Sequence, residues 1–140
     1  MVNKKERLIN EICAQRGLES YRNTIANLLE EIYTEGAIVS CKYNESASNI
    51  DPSEIRPCHI RISMIRVKHT LNIIWALLHE FGHYLDWPRN HKDSKIDREN
   101  RAWQIAEKYL NKYPDLQEKI LWFHEYKDWC LSTYKKANQN

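Results

Sequence analysis

Apolar residues along this 140-residue chain fall at two spacings, and the switches between them mark out its elements. From Lys4 to Arg16, Leu8, Ile9, Ile12 and Cys13 share one helical face, and Gly17 offers a left-handed stop. Ser20 reads as the N-cap of a second helix with Ile25, Leu28, Leu29 and Ile32 as its stripe and Gly36 as its end. Residues 37–43 then read as a strand. Ser, Asn, Asp and Pro dominate 44–57 without periodicity, which predicts an exposed loop. In 59–64, Ile60, Ile62 and Met64 alternate with His59, Arg61 and Ser63, the period of a half-buried strand. An open edge on that strand can pair with extended polypeptide. Leu71, Ile74, Trp75, Leu78, Gly82 and Leu85 return to helical spacing, and further helices are predicted over 99–111 and 115–134. The last carries a wide arc that reads first as core packing of a terminal helix, while Trp122, Tyr126, Trp129 and Thr133 form one stripe that can bind a protein partner or a second copy. The expected fold class is α+β, mainly helical, with a small sheet packed by the helix around residue 80.

That helix contains His79-Glu80-Phe81-Gly82-His83, the HExxH pattern of zinc hydrolases. Histidines four apart lie on one helical face, so both imidazoles can reach one Zn²⁺ ion. Glu80, beside them, is placed to act as a general base rather than a ligand. A catalytic zinc takes three protein ligands. Glu99 is the choice for the third, because it lies beyond a turn at Trp87-Pro88-Arg89-Asn90 that brings a second helix back. Asp97, Asp93 and His91 are its rivals, although acidic residues at a first turn more often cap a helix. Ala102 and Ala106 share the face of Glu99, and their small side chains allow close packing on the HExxH helix. Gly82, costly inside a helix, is explained if another backbone must approach there. Asp86 is placed to orient an imidazole. A donor for the developing oxyanion is sought among Tyr84, His91, Arg98, His124 and Tyr126, with His91 favoured because a short loop can fold it over the metal.

Composition narrows the setting. With 42% hydrophobic and 29% charged positions, 140 residues suit one domain with a real core. A net charge of +2, evenly spread, argues against direct nucleic-acid binding or a membrane surface. Charged residues interrupt the first stretch, so the apolar core of a signal peptide is missing, and no run of 18 apolar residues exists. Cys13, Cys41, Cys58 and Cys130 are scattered without a CxxC pair, as for reduced thiols. The expected location is therefore the cytoplasm. With only three glycines there is no phosphate-binding loop.

The segments Leu77-Leu78-His79-Glu80-Phe81-Gly82-His83-Tyr84-Leu85 and Glu99-Asn100-Arg101-Ala102-Trp103-Gln104-Ile105-Ala106 resemble the ImmA/IrrE-like metallopeptidases. That resemblance implies a zincin-like fold, one zinc, Glu80 as base and cleavage of a specific protein, often a DNA-binding repressor. Two other classes stay open on the residues alone. One is a zinc-containing interaction module without hydrolysis, and the other a helical interaction protein in which HExxH is coincidental.

Overall fold

The computed structural model describes residues 3–45, 47–51, 58–65, 67–86 and 94–137. The elements run α1 (Lys4–Cys13), α2 (Arg22–Thr34), β1 (Ile38–Lys42), β2 (Asn49–Asp51), β3 (His59–Ser63), α3 (Leu71–Leu85), α4 (Lys95–Leu110), α5 (Pro114–Gln117) and α6 (Ile120–Ala137). This is an α+β chain, mostly helical, with one small mixed sheet in the order β1-β3-β2.

Alternation in β3 does what its pattern implies: Ile60, Ile62 and the following Met64 are buried, and α3 lies against β3 and β2. α1 and α2 contact β1, and α4 and α6 pack on α3. The core therefore joins sheet and helices through Leu28, Leu29, Ile32, Ile60, Ile62, Trp75, Leu78, Phe81 and Phe123. Among the described residues no helix is long and apolar enough to cross a membrane.

Several boundaries differ from the sequence reading, each for a local reason. α1 stops at Cys13, three residues early, and Gly17 serves the following turn with φ +81°. Ser20 does not cap α2: its hydroxyl donates to the Gly17 carbonyl inside a short 3-10 turn, Glu19–Tyr21. Ser94 instead caps α4, accepting from the Asp97 amide at 3.1 Å, so this helix starts four residues before Glu99. Pro114 starts α5, and a separate helix begins at Ile120.

The larger correction concerns β3, which is no open edge. It is the middle strand, parallel to β1 (Val39 beside Ile60) and antiparallel to β2 (Ile50 beside Ile60). β2 falls inside the predicted loop because Ile50 is its one apolar residue. Its pairing is decided by the neighbouring strand rather than by any pattern of its own.

Gly82 shows why α4 can sit where it does. A Cβ built there would lie 2.2 Å from the Ala102 carbonyl oxygen, far inside contact distance. Gly82→Ala is therefore expected to destabilise the chain by about 1–3 kcal/mol through overpacking, despite the roughly 1 kcal/mol that alanine gains over glycine in an ordinary helix. Urea unfolding measures this, and a rise in midpoint would mean that the helices separate freely. Burial, with Glu11 beside it, pushes the Cys41 thiol up to about 12. Its alkylation by iodoacetamide is expected to be slow at pH 8 and to rise about tenfold per pH unit, as thiolate chemistry requires. Rapid labelling at pH 8, read by mass spectrometry, would contradict that burial.

Candidate metal centre

Helical geometry puts His79 and His83 one turn apart on α3, where both are half-buried and their ring centroids are 4.6 Å apart. Across the Gly82–Ala102 contact, α4 brings Glu99 between them. Glu99 Oε2 is 2.8 Å from His79 Nε2, and Glu99 Oε1 is 3.1 Å from His83 Nε2. Among the described residues these three form the group whose ligand atoms gather, all within 4.8 Å of one another. Tetrahedral bonds of about 2.1 Å need donors roughly 3.4 Å apart, so small side-chain rotations suit the set to an ion. Two imidazole nitrogens and a carboxylate oxygen are a zinc-type donor set.

Two features hold this arrangement. Arg101 reaches back from α4 to clasp Asp86 at the end of α3, donating to both carboxylate oxygens at 2.9 and 3.0 Å. Asp86 thus ties helix to helix rather than orienting an imidazole. On the same face of α4 as Glu99, the Trp103 indole stacks on His79 with centroids 4.0 Å apart and planes 7° from parallel. Trp103 is itself buried and packs edge-on against Phe123 and Tyr126 of α6. The His79 ring therefore has one face fixed and its Nε2 aimed at Glu99.

Glu80 is 7% exposed, on the other side of His79, with Oε1 3.7 Å from His79 Nδ1. Burial raises its carboxyl above the ordinary value, an effect partly offset by His79 and His83. Glu99 behaves in the opposite way. Burial alone would raise it, but hydrogen bonds from His79 and His83, reinforced by their charge, hold it well below the usual carboxylate range. Two carboxylates around the same imidazoles are thus pushed apart, one towards carrying a proton and one towards permanent charge.

α6 supplies a third wall, and it carries Tyr126, one of the donors considered from the sequence. Burial raises the Tyr126 phenol, with Cys130 beside it and Glu80 near enough to add to the effect. Cys130 is pushed up to about 11 by burial, against a hydrogen bond from Tyr126 and with help from Glu99 and Glu80. At neutral pH both groups keep their protons and can donate.

The other candidates are disposed differently. The Tyr84 hydroxyl donates to the Glu35 carbonyl at the end of α2. His124 Nε2 faces Glu107 at 3.3 Å, on the outer side of α4 and α6. Asp97 is an exposed residue in the first turn of α4, three residues after the Ser94 cap, where its charge suits the helix dipole. Arg98 precedes Glu99 on α4. His91 and Asp93, and with them the favoured oxyanion donor, lie outside the described residues. Trp103 was missed, although an aromatic four residues after a candidate ligand shares its helical face.

A depressed carboxyl contributes stability that is present above the ordinary glutamate value of 4.5 and lost as pH falls from there towards the folded-state value. In metal-free protein, Glu99→Gln is therefore expected to flatten the decline of the urea midpoint below about pH 4.5. Parallel declines for the two proteins would show that Glu99 is not held by the imidazoles.

Compared with family models, with curated proteins and with solved structures, the chain matches none, so its reading as a metal centre rests on the side chains themselves.

Proposed function

We propose that this chain is a zinc-dependent metalloprotease that hydrolyses a peptide bond in a specific protein target within the cytoplasm. The observation that carries the reading is the meeting of His79 Nε2, His83 Nε2 and the Glu99 carboxylate beside a buried, separately placed Glu80. A chance HExxH has no reason to find a third donor on another helix at 2.8 and 3.1 Å. The zincin-like architecture and the repressor-type target are what the resemblance of the two segments adds to this reading.

His79, His83 and Glu99 would hold the ion. When bound, zinc supplies Lewis acidity, lowering the pKa of a coordinated water towards about 7 and polarising the carbonyl to be attacked. Glu80 takes the proton from the attacking water and returns it to the leaving amine, a task matched to a carboxyl whose pKa burial has raised. Trp103 keeps His79 from turning away. The Tyr126 hydroxyl, on the α6 wall, is a protonated donor available to the developing oxyanion. β2 is the outer strand on the α3 side of the sheet, and its far edge has no partner among the described residues. It offers main-chain groups to an extended substrate, the part first sought in β3.

Elemental analysis of gently purified protein is expected to give about one zinc per chain, the complement of a three-ligand site with one open position. His79→Ala and Glu99→Ala should each lose it. Glu80→Gln should retain zinc and lose at least a hundredfold in hydrolysis, the lower end of what general-base catalysis contributes. Zinc retained with no hydrolysis of any co-expressed or co-purified protein would leave a metal-containing interaction module. No zinc in wild type after reconstitution would remove the metal reading altogether.

A further inference from the structure

We propose that the cavity between the first half of α3, the segment leading into it and α6 is the pocket that selects the substrate, and that it takes one large apolar side chain, aromatic by preference. The inference rests on the metalloprotease reading and names the substrate class for that site.

Size and lining come first. The cavity holds about 480 Å³, and its walls include Val67, Ile73, Ala76, Trp122, Tyr126 and Trp129. An aromatic side chain buries about 150–250 Å² and gains most from such walls. Among the described lining residues Lys68 and Glu125 bring one charge of each sign beside a mostly apolar wall. Trp122 is 43% exposed and Trp129 64% exposed, and the Trp122 indole is met edge-on by His69 at 4.7 Å. Ile73 and Ala76 in the lining are buried. Buried apolar residues lined up with exposed indoles are the form of a side-chain pocket rather than of a finished core.

Position relative to the metal centre follows from helix geometry. Asn72, Ala76, His79 and His83 are spaced four, three and four residues apart, so they form one stripe on α3. The first two line the cavity and the last two belong to the metal centre. Ala76 precedes His79 by three residues, about 4.5 Å of helix rise. From α6, Tyr126 lines the cavity while its ring packs on Trp103, the residue stacked on His79. On the sheet side Ser48, which accepts a hydrogen bond from the Ser63 amide at 3.0 Å, lines the cavity and directly precedes β2. A polypeptide laid along β2 would thus run beside a cavity that shares its α3 stripe with His79 and His83.

Hydroxamates test this without knowledge of the target, because the hydroxamate binds zinc and its substituent samples the neighbouring space. Titration calorimetry on the zinc-loaded chain compares acetohydroxamate with the hydroxamate of 3-phenylpropanoic acid. The phenyl compound is expected to bind at least about tenfold tighter, the gain of burying one aromatic ring. Ala76→Trp should bring the ratio of the two affinities close to one while zinc content stays at the wild-type level. Trp122→Ala and Trp129→Ala, at exposed positions that tolerate truncation, should each cut the ratio several-fold and decide the matter if Ala76→Trp does not fold. Zinc present with no phenyl gain, or a gain untouched by all the substitutions that fold, overturns the pocket and leaves the metalloprotease reading standing. Absence of zinc from the reconstituted wild type overturns that reading, and the pocket inference falls with it.

Discussion

Where Gly82 lies against the carbonyl of Ala102, α3 and α4 are in backbone contact, and the gathering of His79, His83 and Glu99 depends on that contact. A side chain at position 82 would hold α4 away by the thickness of a methyl group, and the 2.8 and 3.1 Å separations around Glu99 could not form. Ala102 and Ala106, both buried, keep the rest of the interface equally thin. The Asp86–Arg101 pair then sets the longitudinal register of one helix on the other. Glycine costs about 1 kcal/mol in a helix interior. Here that cost is offset by the packing of a whole helix, not by any property of glycine in isolation.

The same contact explains how the centre combines opposed electrostatic demands. Glu99 enters from a second helix, so it meets both imidazoles at Nε2 and stays charged. Glu80 belongs to α3 itself, where helical geometry denies it that approach, and it is left buried on the Nδ1 side with its pKa raised. Two glutamates in nearly one place are thereby given different chemistry by the helix each sits on. Trp103 extends this division of labour. By stacking on His79 and packing on Phe123 and Tyr126, it joins the His79–His83–Glu99 cluster to α6 and so to the cavity beside it.

α6 combines two roles. Phe123 is fully buried and anchors the helix to Trp75 and Trp103 in edge-on contacts. One residue earlier, Trp122 remains partly exposed, as does Trp129 two turns later. The stripe of Trp122, Tyr126 and Trp129 noticed in the sequence is therefore neither plain core nor a free outer face. It forms the side of a cavity, with Tyr126 the least exposed of the three.

Periodicity and local chemistry were enough to place α2, β1, β3, α3 and α4, because each buries a stripe whose spacing is written into its own residues. His79, His83 and Glu80 were legible for the same reason, since their relation is fixed by one helix. Gly82, Ala102 and Ala106 even announced that a second helix would come close. Three things lay beyond local reading. Asn49–Asp51 forms a strand because β3 offers it hydrogen bonds, so β3 became the middle of the sheet instead of its edge. Asp86 was claimed by Arg101, fifteen residues on, before any imidazole could use it. Trp103 joined the site, and Tyr126 was set apart from the other donors the sequence offered, through the angles at which α4 and α6 cross α3. A sequence carries the period of each element, whereas crossing angles and long-range partners are set by how the elements exclude water together, and only the assembled structure decides them.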